Sequence, residues 1–146
     1  YNAAQLMKME ALANGYVEAI AVGPSGLISE GSGQNVFLVR DGSLLTPFLD
    51  GTNLIGITRD SVIHIARELG IEVREGQVAR EALYMADELF FTGTASEVTP
   101  IRSVDTIPVG AGKAGPVTLA IQNRFMEIVR GEVPDTRGWL DLVTDS

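Results

Sequence analysis

The chain has 146 residues, 45% hydrophobic and 21% charged, which is the size and composition of one domain with a core of its own. A net charge of −8 and a pI near 4.5 give an acidic surface that repels nucleic acid and anionic membranes. With no cysteine and one histidine, disulfide frameworks, thiolate sites and His-based metal sites are excluded, so small molecules and proteins remain as partners. The apolar runs are too short for a membrane span and nothing resembles a signal peptide, so the expected location is cytoplasmic.

In chain order, Ala3 to Ala13 carries good helix formers, with Leu6, Met9, Ala11 and Leu12 mixed with Lys8 and Glu10, and Asn14-Gly15 reads as the stop. The chain opens at Tyr1 without a methionine and directly into helix, so a piece of a longer protein is expected. Residues 17–22 predict a strand and 23–26 a turn; Asn35 to Arg40 and Ser43 to Thr46 flank Asp41-Gly42, a strong hairpin signal, so antiparallel sheet is expected here. From Thr58 the period changes to 3.6, with Val62, Ile65, Ala66 and Leu69 on one face and Gly70 as the stop; His64 falls off that face and reads as a surface histidine. Further strands are expected at 71–74 and 88–92, a short helix at 80–86, and a last helix at 116–129 before Gly131. Trp139 reads as a packing anchor. Without strict alternation of strand and helix, an α+β or irregular α/β fold follows, and no linker or repeat divides residues 1–146.

The loops carry more chemistry than the elements. Ser29-Glu30-Gly31-Ser32-Gly33-Gln34 reads as a loop, in which a glutamate is ordinarily solvated. The alternative is a carboxylate held to meet a cationic ring or ligand nitrogen, with glycines admitting close approach. Gly56-Ile57-Thr58 stands at a helix entrance, where free N–H groups and the dipole favour an anion such as phosphate; Thr58 as a plain N-cap is the more ordinary reading. Thr92-Gly93-Thr94-Ala95-Ser96 places N–H and hydroxyl groups at a strand end. The two lysines, Lys8 on the first helix and Lys113 in a Gly-rich turn, both read as solvated.

Glu30-x-Ser32-x-x-Asn35-Val36-Phe37, then Leu44-x-Thr46, then Leu54-x-Gly56-Ile57-x-Arg59 resembles the signature of the class IV (fold type IV) pyridoxal-phosphate aminotransferases. The run from Tyr84 to Pro100, YMADELFFTGTASEVTP, looks like the branched-chain aminotransferases in particular. Gly115-Pro116-Val117-Thr118 and Gly138-Trp139-Leu140 are similar to that subgroup's C-terminal end. The resemblance covers essentially the whole chain and implies the large C-terminal domain of a D-amino-acid-aminotransferase-like fold, with pyridoxal 5'-phosphate as cofactor.

It also implies roles. Glu30 would meet the cofactor's pyridine nitrogen and keep it protonated, so that the ring accepts electrons released from the substrate. Ile57, Thr58 and Thr94 would hold the phosphate, Leu54 would pack on the ring, and Tyr1 would hydrogen-bond the phenolic oxygen. Gly93, Thr94 and Ala95 would offer N–H groups to the substrate carboxylate. In the family the Schiff-base lysine shortly precedes the tyrosine matched by Tyr1. No catalytic residue is therefore expected within this chain, which alone would be inactive, and the N-terminal domain with a further phosphate-binding arginine would also lie upstream. The implied activity is ping-pong transamination of leucine, isoleucine or valine with 2-oxoglutarate, giving a branched 2-oxo acid and glutamate. The implied protein partners are the N-terminal segment or another copy of the chain, as a homodimer or higher homo-oligomer. A D-amino-acid aminotransferase or aminodeoxychorismate lyase is the alternative within the family, against which the Thr92–Ala95 loop argues. A non-catalytic docking fragment is the alternative of another class.

Overall fold

The computed structural model describes residues 2–141 and 143. Its elements are α1 (Asn2–Ala13), β1 (Ile20–Val22), β2 (Ile28–Gly31), β3 (Asn35–Arg40), β4 (Ser43–Pro47), α2 (Ile57–Glu68), β5 (Val73–Gly76), α3 (Ala82–Met85), β6 (Glu88–Gly93), β7 (Glu97–Ile101), β8 (Ser103–Val104), β9 (Ile107–Pro108) and α4 (Pro116–Val129). Asp41 and Gly42 take positive φ angles of 49° and 75°, the conformation a tight hairpin between β3 and β4 demands. The central sheet has the order β5-β4-β3-β6-β7. Its pairs are antiparallel apart from β4 and β5, which run parallel because α2 carries the chain back between them.

Asn35-Val36-Phe37-Leu38-Val39 has no polar face because the sheet is covered on both sides, and all five residues are buried. On one side Phe37, Val39 and Phe90 pack under Val62, Ile65 and Ala66 of α2 and Ile121 and Ile128 of α4. Phe37 and Phe90 are register partners whose rings stack at 5.1 Å. On the other side Val36, Leu38, Leu89 and Phe91 pack against Ile28, Val78, Leu83 and Val109. Mixed helices and sheet in this arrangement are α+β, as expected.

Several boundaries differ from expectation for physical reasons. The strand expected at 17–22 shrinks to Ile20–Val22, because Glu18 turns to Lys8 and Val17 is left 83% exposed. Leu69 is not on the buried face: it is the C-cap of α2 and is exposed, with Gly70 beyond it at φ 76°. His64 is half-buried, not a free surface residue, with its ring edge-on to Trp139 at 6.2 Å. Trp139 packs against the helix-side core, as its reading as an anchor anticipates. No described helix is long and apolar enough to cross a membrane, and no metal-ligand cluster occurs among the described residues.

Candidate functional site

Glu30 lies on β2, where a loop was expected; with Ser29 and Gly31 around it, Ile28 is the one large apolar residue of that strand. The side chain is half-buried. Its Oε2 accepts the Leu54 N–H at 2.9 Å, while Asn35 Nδ2 donates to the Leu54 carbonyl at 3.0 Å. Ser29 Oγ donates to the Thr52 carbonyl at 2.8 Å. Two strands thus grip both backbone polar groups of Leu54 and fix the loop that leads into α2. Among the described residues only one oxygen of Glu30 is engaged, and Leu54 itself presents its side chain to solvent, 75% exposed.

The start of α2 is built to stay open. Its N-cap is Gly56, extended at φ −87°, and no side chain caps it; Thr58 is the second helical residue, so the N-cap reading of Thr58 fails. A Cβ on Gly56 would stand 2.0 Å from Asn35 Oδ1, so glycine alone lets the helix begin this close to β3. Thr58 is buried and Ile57 exposed. Arg59, also buried, donates to the Pro47 carbonyl at 3.0 Å and to Glu75 Oε2 at 2.8 Å, which ties the first turn to the ends of β4 and β5. The contrast is α4, whose first N–H groups are closed: Val117 and Thr118 donate to the two oxygens of buried Glu88 at 3.0 and 2.7 Å. Among the described residues no such carboxylate closes α2, so its first-turn N–H groups and dipole remain available to an anion.

The β6–β7 turn reaches the same place. Asn35 pairs with Thr92 and Gly93 with Glu97, so the turn stands at the sheet end that also holds Asn35 and Pro47. A Cβ on Gly93 would lie 2.8 Å from Ser96 Oγ and 3.3 Å from the Gly33 carbonyl, so this turn bears directly on the Gly31–Gln34 turn. Among the described residues, the hydroxyl of fully buried Thr92 finds no partner, and neither does the buried Ser96 Oγ. Thr94 and Ala95 are exposed at the tip. The fold therefore brings Glu30, Leu54, Ile57, Thr58, Gly93, Thr94 and Ala95 to one end of the sheet; Tyr1 lies outside the described residues.

The lysines stand elsewhere. Lys8 is not simply solvated: its Nζ lies 2.8 Å from Glu18 Oε2 and 2.6 Å from the Val17 carbonyl. Burial pushes the Glu18 carboxyl up, but Lys8, Ser32, the Ala19 N–H and Gln34 more than reverse this and bring it down to about 2. Lys113 is exposed in the loop before α4, by the Glu88 end of β6, about 17 Å along the strand from Gly93 at ~3.4 Å per residue. A cavity of about 700 Å³ lies between α1 and the sheet, lined by Met7, Tyr16, Ile20, Tyr84 and Phe91 among others, and none of the candidate residues lines it. Sequence reasoning gave no role to Asn35, Arg59 or Glu18; a polar residue heading an apolar run, as Asn35 does, is the signal that marks the first of them.

The sequence profile of the amino-transferase class IV family matches residues 1–104. The branched-chain-amino-acid aminotransferase of Escherichia coli (strain K12) is 53% identical over 143 residues, which are 98% of this chain and 46% of that protein. The crystal structure of the Escherichia coli branched-chain amino acid aminotransferase superposes with a TM-score of 0.94 at 53% identity, over 97% of this chain and 48% of that one. The crystal structure of the branched-chain amino acid aminotransferase from Thermobaculum terrenum, in its PLP-form (holo-form), superposes with a TM-score of 0.93 at 44% identity, over 97% and 46% of the two chains. The chain spans about half the length of the curated relatives it matches.

Proposed function

Since the chain belongs to the class IV aminotransferases, we propose that it is the cofactor-holding part of a cytoplasmic branched-chain amino-acid aminotransferase, which exchanges the amino group of leucine, isoleucine or valine with 2-oxoglutarate. One observation carries the reading: Glu30, tethered at one oxygen by the Leu54 N–H, shares a sheet end with the uncapped start of α2 and the Gly93–Ala95 turn. A half-buried carboxylate with, among the described residues, one oxygen unengaged, open helix N–H groups and the unpartnered Thr92 and Ser96 hydroxyls suit a ring nitrogen, a phosphate and a carboxylate. When bound, pyridoxal 5'-phosphate supplies a pyridinium ring that withdraws the electron pair left as the substrate loses its α-hydrogen.

This chain's residues bind and orient. Ile57 and Thr58, through N–H and hydroxyl, hold the phosphate with Thr94. Leu54 covers a ring face, and Glu30 holds the proton on the ring nitrogen. Gly93, Thr94 and Ala95 direct N–H groups at the substrate carboxylate, which fixes the α-hydrogen for removal. Tyr1 is assigned the phenolic oxygen. The amine that takes the α-proton is assigned, as the family resemblance implies, to a lysine shortly before Tyr1; that Lys8 is held by Glu18 and Lys113 stands at the far end of β6 supports this.

The test separates binding from chemistry. This chain alone, mixed with pyridoxal phosphate, should bind it weakly, transaminate none of the three amino acids, and show no lysine fixed to the cofactor by borohydride. The intact protein should do both, and should prefer leucine, isoleucine and valine to D-alanine. A stoichiometric reduced product at Lys8 or Lys113, with activity, would overturn the assignment of the lysine; preference for D-alanine would overturn the substrate.

A further inference from the structure

Glu18 has no part in the chemistry proposed above, yet two separate segments converge on it. It lies between α1 and β1 with its side chain 12% exposed. Lys8 of α1 donates to its Oε2 at 2.8 Å, Gln34 Nε2 donates to the same oxygen at 3.1 Å, and the Ala19 N–H donates to Oε1 at 2.9 Å. Gln34 in turn closes the turn after Glu30: the Gly31 N–H donates to the Gln34 carbonyl at 2.6 Å, and the Gly33 N–H to Gln34 Oε1 at 3.1 Å. The Gly33 carbonyl is the group against which Gly93 packs. One carboxylate therefore ties the helix that follows Tyr1 in sequence to the strand of Glu30 and, through the same turn, to the base of the Gly93–Ala95 loop.

We propose that Glu18 is a positioning residue of the cofactor site, which sets α1, Glu30 and the Gly93–Ala95 loop in register; this rests on the reading of Glu30 as the partner of the ring nitrogen. A turn holding Gly31 and Gly33 has little stiffness beyond its own two hydrogen bonds, and the Gln34 bond to Glu18 adds to it. A surface ion pair would engage Lys8 alone; here Gln34, on the turn itself, donates to the same oxygen. Site groups need placement within about 0.5 Å to act, which is the tolerance such a brace controls.

The experiment uses the intact protein with Glu18→Gln, Glu18→Asp and Lys8→Met, and Glu30→Gln as reference. It reads the affinity for pyridoxal phosphate by fluorescence and the pH midpoint of the bound cofactor's visible absorbance, with circular dichroism confirming the fold. Glu18→Gln should weaken cofactor binding about tenfold or more and move the absorbance midpoint in the direction that Glu30→Gln moves it. Lys8→Met should do the same to a smaller extent, and Glu18→Asp should restore part of the loss. The inference is overturned if Glu18→Gln, or Lys8→Met where the former does not fold, leaves affinity and midpoint unchanged while Glu30→Gln shifts them. If Glu30→Gln shifts neither, the cofactor reading itself falls, and this inference with it.

Discussion

Glu30 keeps its Leu54 contact through one oxygen, so Glu30→Gln in the intact protein preserves shape and removes charge. Turnover should fall at least about a hundredfold, roughly 2.7 kcal/mol of transition-state stabilisation, with the cofactor still held by its phosphate. Steady-state kinetics near the wild type would strip Glu30 of the role. Gly56 offers a steric test: its φ is ordinary, but a Cβ would sit 2.0 Å from Asn35 Oδ1, so Gly56→Ala forces Asn35 off Leu54. Overpacking of that kind costs about 1–3 kcal/mol, and here it should also weaken phosphate binding, read by titration with pyridoxal phosphate. Glu18 gives a pH signature. Its carboxyl is lowered from 4.5 to about 2 in the folded chain, so its stabilisation is present in full above about pH 4.5 and is lost as the pH falls towards 2. The stability gap between wild type and Glu18→Gln, on the order of 3 kcal/mol at most, should therefore narrow across that window in urea titrations. At this scale Glu30 and Thr58 stood out as candidates through a signature, not through local pattern, which favoured a solvated loop glutamate and an N-cap. Neither alternative could be settled locally, because the Leu54 and Asn35 partners lie 24 and 19 residues from their mates.

The two long helices on the sheet differ in one respect that bears on function: a strand-borne glutamate closes α4, and among the described residues nothing closes α2. Glu88→Ala should leave two N–H groups unpartnered in a buried place and cost about 1–3 kcal/mol. Because Glu88 is at the opposite end of β6, affinity for pyridoxal phosphate should stay within about twofold; a matching loss of affinity would show that the two helix starts are not independent. α2, α4 and the β3–β4 hairpin were legible because a 3.6 period, a Pro at the first turn of α4 and Asp41-Gly42 are strong local signals. β2 and β7 were not, for different reasons. β2 buries Ser29 and Gly31 in place of large apolar residues, and β7 carries Pro100, which is tolerated because that strand lies at the sheet edge. β5, with Val73 as its single apolar residue, sits two residues later than expected because it is positioned by parallel pairing with β4 and not by its own pattern.

On the scale of the whole molecule, the α+β class was legible from the mixture of strand and helix periods, whereas the layering on both faces of the sheet emerges only once β3 and β6 are seen to be buried throughout. Among the described residues, two apolar surfaces stay uncovered. On α1, Leu6, Met9 and Leu12 recur every third residue at 66%, 65% and 57% exposure, while Ala11 is the one buried residue of that helix. Around the start of α2, Leu54, Ile55 and Ile57 are 75%, 80% and 84% exposed. Contiguous apolar surface of this kind marks an interface, so the chain should associate, with itself or with the N-terminal part proposed above. The net charge of −8 opposes self-association at long range, and salt screens it over about 8 Å at physiological strength, so sedimentation velocity should show association that grows with protein concentration and with added salt. Leu6→Lys and Met9→Glu together should weaken it if α1 forms the contact, since each places a charge in the apolar stripe while leaving the buried Ala11 side untouched. A monodisperse monomer at high concentration and high salt would count against an interface on either surface.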